Sequence, residues 1–221
     1  MKRHALIVAG GKGLRMGAEI PKQFLELNGL PVLMHTIKAF RFDPKLAITL
    51  VLPADQFTYW KWLCEKHGFN EPHQLVAGGA SRFQSVKNGL LAIAEAEALV
   101  AIHDGVRPLI DKEIIENSYK IASEKGNALV VVKLKDSIRK QDLLGNSKGV
   151  NRENYYLVQT PQTFEVAQIL QAYELAEDDN FTDDASVLEA SGQKINLIEG
   201  SYRNLKITTP EDLIVASALL Q

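Results

Sequence analysis

The chain has 221 residues, 46% hydrophobic and 24% charged, with a formal net charge of −2. That is globular composition sized for one large domain, and its near-neutral balance argues against a general nucleic-acid binder. No apolar stretch approaches the roughly 20 residues that span a bilayer. The single cysteine, Cys64, excludes an internal disulfide framework and a cysteine-rich metal site. Its expected role is packing on a helix beside Trp60 and Trp62.

Met1–His4 lead directly into strand-like residues, with no apolar segment and small-residue cleavage site behind them. No secretory signal is therefore expected, and the expected location is cytoplasmic. Ala5–Ala9 reads as a buried strand followed by glycines, and residues 32–42 as a helix with Leu33, Ile37 and Phe40 on one face. Ala47–Leu52 is a second strand, residues 55–67 a helix ended by Gly68, and Gln74–Ala77 a short strand before Gly78-Gly79. Residues 81–98, rich in Ala, Leu and Glu, read as a helix with Ser81 as N-cap. Leu99–His103 is a strand, residues 111–125 a helix stopped at Gly126, and Ala128–Val132 a β-branched strand. This alternation predicts an α/β fold, a mostly parallel sheet with helices on both faces, whose sites lie beyond the carboxyl ends of the strands.

The alternation breaks between Lys133 and Gln159. Ser137–Lys140 and Asn151–Gln159 flank a polar turn, Asp142–Gly149, and read as a projecting hairpin. Alone such a hairpin is marginal, and a partner subunit could cover it. Beyond it come a helix (164–177), a helix with Thr182 as N-cap, strands at Ile195–Glu199 and Leu205–Thr208, and a terminal helix opened by Thr209-Pro210. Residues 1–221 are thus expected to form one domain with a dimerisation arm at about 133–159.

Three loops at strand ends carry unusual residues. Ala9-Gly10-Gly11-Lys12-Gly13-Leu14-Arg15-Met16-Gly17 lets backbone N–H groups approach a phosphate. It fits neither a P-loop nor a dinucleotide fingerprint. Its cations Lys12 and Arg15, with Lys22 of Pro21-Lys22-Gln23, suit a triphosphate. Gly78-Gly79 before a helix offers backbone groups to a base edge, with Ser85 on the helix's first turns. Asp104 of His103-Asp104-Gly105-Val106-Arg107-Pro108 suits a Mg²⁺ ligand, direct or through water, other divalent cations being possible. A helix cap or a partner for Arg107 is its alternative role. His4, His35, His67 and His73 are scattered without metal-ligand spacing.

Gly11-x-Gly13-x-Arg15-Met16 followed by Pro21-Lys22-Gln23 resembles the signature of nucleotidyltransferases that act on sugar phosphates. Gly78-Gly79-x-x-Arg82-x-x-Ser85-Val86 is similar to the base-binding segment of their cytidylyltransferase branch, departing from it at Ala80 and Gln84, where many members carry acids. Asn151-Arg152, Gln159–Phe164, Phe181–Ser186 and Asn204–Asp212 extend the resemblance from Ala5 to Leu219. It implies a Rossmann-like nucleotidyltransferase sheet, CTP and methylerythritol phosphate as substrates, and Mg²⁺ as cofactor. Ribitol 5-phosphate is the rival acceptor, but enzymes for it lack the Asn-Arg pair and usually break the Thr182–Ser186 run.

Carried over residue by residue, the resemblance places Arg15 and Lys22 on the α-phosphate, with Ala9, Gly10, Gly11, Gly13, Gly79, Ser85 and Asp104 around the nucleotide. It places Ser137, Arg152, Thr182 and Lys206 on the acceptor, Arg152 and Lys206 also serving as catalytic cations. It further implies a homodimer that exchanges the arm, so that Arg152 acts on the neighbour's site. The acceptor phosphate is already largely a dianion at neutral pH, its second pKa being about 6. No general base is then needed, and His103 is expected to be structural.

Overall fold

The computed structural model describes residues 1–10, 20–176 and 180–220. Along the chain the strands are β1 (Lys2–Val8), β2 (Glu26–Leu27), β3 (Leu30–Pro31), β4 (Ala47–Leu52), β5 (Gln74–Ala77), β6 (Ala98–Asp104), β7 (Asn127–Lys133), β8 (Ile138–Gln141), β9 (Ser147–Val150), β10 (Tyr156–Glu165) and β11 (Leu197–Glu199). The helices are α1 (Val32–Ala39), α2 (Phe57–Lys66), α3 (Arg82–Leu91), α4 (Lys112–Lys125), α5 (Val166–Leu175), α6 (Asp184–Ala190) and α7 (Pro210–Leu219).

Seven strands make the central sheet in the order β11-β7-β10-β6-β1-β4-β5. All neighbours are parallel except β10, which runs antiparallel between β6 and β7. β6 is buried at every position, as a strand covered on both faces must be. One apolar layer joins the sheet to α1, α2 and α4 through Met34, Trp60, Ile115 and Tyr119. The opposite layer joins it to α3, α5 and α6 through Val86, Ile169, Tyr173 and Leu188. α4 shows why such helices form: Ile115, Ser118, Tyr119 and Ala122 recur at helical spacing and are its buried residues. It ends at Gly126, whose φ of 85° is a left-handed conformation that only glycine adopts without strain.

Several expected boundaries shift, each for a tertiary reason. The helix over 81–98 stops at Leu91, because the chain must turn into buried β6. Glu95, in that turn, pairs with Lys2 at 2.6 Å and with His4 at 3.2 Å. The projecting hairpin is only β8 and β9. Tyr156–Gln159 belongs to β10, whose side chains from Gln159 to Phe164 are buried in the central sheet, and α5 accordingly starts at Val166 rather than Phe164. Thr182 is not an N-cap: Asp183 caps α6 in a reciprocal box with Ser186. Residues 205–208 form no strand. Ile207 N–H bonds to Val106 O instead, which docks this loop against the end of β6. The caps at Ser81 and Thr209 stand as expected. Cys64 sits half-buried on α2, its thiol pushed up to about 11 by burial and then by Glu65, which makes it a packing residue.

Candidate active site

β6, β1, β4 and β5 are consecutive in the sheet, and the loops that follow β6, β1 and β5 are each tied by a backbone bond to the end of a neighbouring strand. Ala9 N–H reaches Val51 O, Gly78 N–H reaches Leu52 O and Gly105 N–H reaches Val8 O, each at 2.8–2.9 Å. The cleft above these ends is lined by Ala9, Gly10, Lys22, Gly79, Ser85, Asp104 and Lys206. So seven of the sequence-predicted residues, spread over nearly 200 positions, meet in one place. Gly11, Gly13 and Arg15 lie outside the described residues. Gln23 supports the cleft from below: its buried amide donates to Ala9 O at 3.0 Å and to Gln56 Oε1 at 2.8 Å.

On one side of the cleft, the first turn of α3 organises the Gly78-Gly79 loop. Ser81 Oγ accepts from Gln84 N–H, and Gln84 Oε1 accepts from Ala80 N–H at 3.0 Å. Gln84 therefore holds the loop. A Cβ on Gly79 would sit 2.4 Å from Gln84 Cβ, so glycine is required for this close approach. Ser85 Oγ donates to Ser81 O at 2.8 Å and accepts from Gly79 N–H at 3.0 Å. Its hydroxyl braces the loop and retains one acceptor lone pair.

Asp104 sits at the end of β6 in a cluster of cations. Its Oδ2 meets Arg107 Nε at 3.0 Å and Lys206 Nζ at 3.1 Å. Burial alone would raise the Asp104 pKa, but Lys206, Arg107 and Arg82 outweigh it and hold the carboxyl well below the usual range. It is a fixed anion, and it is Arg107's partner rather than a helix cap. Among the described residues no three His, Cys, Asp or Glu side chains gather as a metal cage. One fixed carboxylate beside a glycine-lined cleft does fit Mg²⁺, which takes one or two carboxylates and fills its shell with substrate phosphates and water.

His103 is fully buried. Its Nε2 faces Arg107 O at 3.1 Å, so it carries the proton there, and Nδ1 accepts from the Thr160 hydroxyl at 3.0 Å. Thr160 Oγ1 in turn accepts from Asp104 N–H at 3.1 Å. Burial lowers the His103 pKa to about 4, so the ring is neutral at physiological pH. It fixes the backbone under Asp104 and, with both nitrogens engaged, has no contact to offer a substrate.

A second cavity adjoins the first and shares Arg82, Asp104 and Lys206 with it. Its further lining includes Thr182, Gln159, Thr160 and Gln162. The last three come from a bulge: β10 loses register against β7 between Val158 and Gln162. Pro161 cannot donate to a ladder, and a bulge turns neighbouring side chains toward the rim. Gln162 Nε2 donates to Asp183 Oδ2 at 3.1 Å, and its Oε1 accepts from Ala185 N–H at 2.8 Å. The bulge thereby locates the turn that carries Thr182.

Two expected residues stay away. Ser137 is exposed, and Arg152 lies on the short helical turn Arg152–Asn154 with its guanidinium bonded to Lys135 O. Neither lines the cavities of its own chain. Sequence reasoning gave no role to Arg82, Gln23 or Gln162. The signal available for Gln162 was Pro161 inside an otherwise strand-like run.

The family model for 2-C-methyl-D-erythritol 4-phosphate cytidylyltransferase matches residues 3–221. A protein of that description from Bacteroides thetaiotaomicron is 51% identical over 221 residues, covering all of both chains. One from Phocaeicola vulgatus is 50% identical over the same span. A crystal structure of 4-diphosphocytidyl-2C-methyl-D-erythritol synthase from Anaerococcus prevotii superposes with a TM-score of 0.85 at 32% identity, covering 99% of this chain and 95% of that one. The Thermus thermophilus 2-C-methyl-D-erythritol 4-phosphate cytidylyltransferase does so with 0.80 at 30% identity, covering 99% and 98%. The chain belongs to the 2-C-methyl-D-erythritol 4-phosphate cytidylyltransferase family.

Proposed function

We propose that the chain transfers CMP from CTP to 2-C-methyl-D-erythritol 4-phosphate in this double cavity, releasing pyrophosphate. The observation that carries this reading is the shared wall. Arg82, Asp104 and Lys206 border both a glycine-lined cleft and a cavity holding Thr182. Two anionic substrates can meet there beside Lys206. The base lies along Gly79 and Ser85, whose remaining lone pair suits the cytosine amino group. Ala9 and Gly10 flank the phosphates, and Lys22 with Arg15 offsets charge that develops at the α-phosphorus. Lys206 draws in the acceptor phosphate beside Thr182. Its dianion attacks in line, so catalysis is positioning and electrostatics. Asp104 would hold Mg²⁺, which supplies charge neutralisation for the triphosphate.

The working unit we propose is a cytoplasmic homodimer in which the arm carries Ser137 and Arg152 to the neighbour's acceptor cavity. Supporting this, Tyr155, Tyr156, Leu157 and Val158 are all at least 40% exposed at the base of the arm. A contiguous apolar run of that kind is a typical protein contact. The test of the reaction is a pyrophosphate-release assay crossing four nucleoside triphosphates with methylerythritol phosphate and ribitol 5-phosphate. Turnover confined to CTP with methylerythritol phosphate is expected. Preference for ribitol phosphate would transfer the chain to the rival reaction.

A further inference from the structure

Arg82 makes a two-pronged ion pair beside the site. Its two terminal nitrogens donate to the two oxygens of Asp184 at 2.8 and 2.7 Å. Asp184 is fully buried and also accepts from Tyr173 Oη at 2.6 Å. A buried ion pair is weak evidence for stability, since apolar residues of similar volume often serve as well. What sets this pair apart is its location. Arg82 opens α3, the helix that braces the nucleotide loop, whereas Asp184 opens α6, immediately after the Thr182-Asp183 turn.

The neighbouring residues repeat the connection. Phe83 stacks on Tyr173 with centroids 4.5 Å apart and on Phe181 at 6.0 Å. Thr182 is therefore bracketed: Phe181 before it rests on Phe83, and Asp184 after it is gripped by Arg82. Gln162 pins the same turn from the sheet side through Asp183 and Ala185. Two adjacent residues of the nucleotide-side helix thus set the position of the acceptor-side threonine.

We propose that Arg82, acting through Asp184, is a positioning residue that registers the acceptor cavity against the nucleotide cleft. This rests on the reaction read above. The arrangement gives a bidentate, planar contact that a lysine cannot reproduce. Its loss would displace Thr182 relative to the nucleotide while leaving the Gly79–Ser85 brace intact. The acceptor should suffer more than CTP.

The test separates positioning from folding. Arg82→Lys keeps the charge and loses the fork. Arg82→Met/Tyr173→Phe/Asp184→Leu removes both charges and the hydroxyl that donates to Asp184 together, which avoids leaving a charge or a hydroxyl buried and unpaired, as a single removal would. Steady-state pyrophosphate release with each substrate varied, and thermal unfolding, are measured on all variants. Both variants should raise KM for methylerythritol phosphate roughly tenfold or more, with KM for CTP changed less than about threefold. The triple variant should keep Tm within a few degrees of the parent, about the shift that 1 kcal/mol produces. A wild-type acceptor KM in a folded Arg82→Lys enzyme would overturn the proposal, as would equal rises in both KM values. Failure of the parent enzyme to turn over these substrates would instead overturn the reading of the reaction.

Discussion

The central sheet and the arm answer to different physics. Strand β6 is buried at all seven positions, and its register delivers Asp104 opposite Val8 of β1. Hairpin β8–β9 has two strands, pairs over four positions and is exposed or half-exposed throughout. Lys22, Ser85, Asp104, Thr182 and Lys206, on the sheet or on segments packed around it, reach the cavities within one chain, and the arm-borne Ser137 and Arg152 do not. A core can hold a site by itself because every element is packed from two sides. An isolated two-stranded arm gains its order from whatever covers it.

The largest effect should come from the sheet itself. Phe164, fully buried on β10, truncated to Ala should cost about 3–5 kcal/mol in urea unfolding. A loss under about 1 kcal/mol would show that the layer around β10 tolerates collapse, and the contrast with the arm would fail.

Catalysis is next. Lys22→Ala should lower kcat roughly a hundredfold or more, ~3 kcal/mol, with little change in CTP affinity. A rise in the KM for CTP alone would make Lys22 a binder of ground and transition states alike. The arm is tested by mixing. Lys22→Ala and Arg152→Ala chains, each nearly inactive, are co-refolded so that about half the dimers are mixed. If Arg152 serves the neighbour's site, about a quarter of all sites regain both residues. Activity at the single-variant background, with exchange verified by mass tagging, would return Arg152 to its own chain.

His103→Asn separates support from chemistry. The folded pKa of about 4 lies below the unfolded value. The unfolded chain therefore binds the extra proton first, and stability falls as pH drops from about 6.5 toward 4. The variant should flatten that decline. The acidic limb of kcat/KM should nonetheless persist near pH ~6, where the acceptor phosphate titrates. Disappearance of the limb would make His103 a base. The smallest effect is expected at the arm's tip, where Leu144 is 86% exposed. Leu144→Ala should change stability by no more than about 0.5 kcal/mol. A cost near that of Phe164 would mean that the tip is buried in the assembly.

Much of this was legible in the residues. Continuous apolar runs such as Leu99–His103, punctuated by Gly-Gly loops, have few solutions other than a buried parallel sheet. The carboxyl ends of the strands are also where sites lie in such sheets, which drew attention to Asp104 and the glycine loops. The strand-end loops singled out Lys22, Ser85 and Asp104 and the family resemblance singled out Lys206, and the structure brings all four to one cleft. The cap at Ser81 and the helix start at Thr209-Pro210 were legible because capping is local chemistry.

What the tertiary structure decided was everything that depends on distant partners. The Ala- and Glu-rich stretch after Leu91 has strong helix propensity, yet Glu95 is claimed by Lys2 and His4 and the next strand must be buried. Residues 205–208 alternate like a strand, but their partner is the loop after β6. Gln159–Phe164 adjoins a hairpin in sequence and lies inside the sheet in space. Arg82 and Asp184 are 102 positions apart, and no local pattern marks either as the other's counter-ion. Periodicity and turn chemistry report the neighbours that a residue has along the chain. Ion pairs, bulges and shared walls report the neighbours it acquires when the chain closes on itself, and those are settled only by packing.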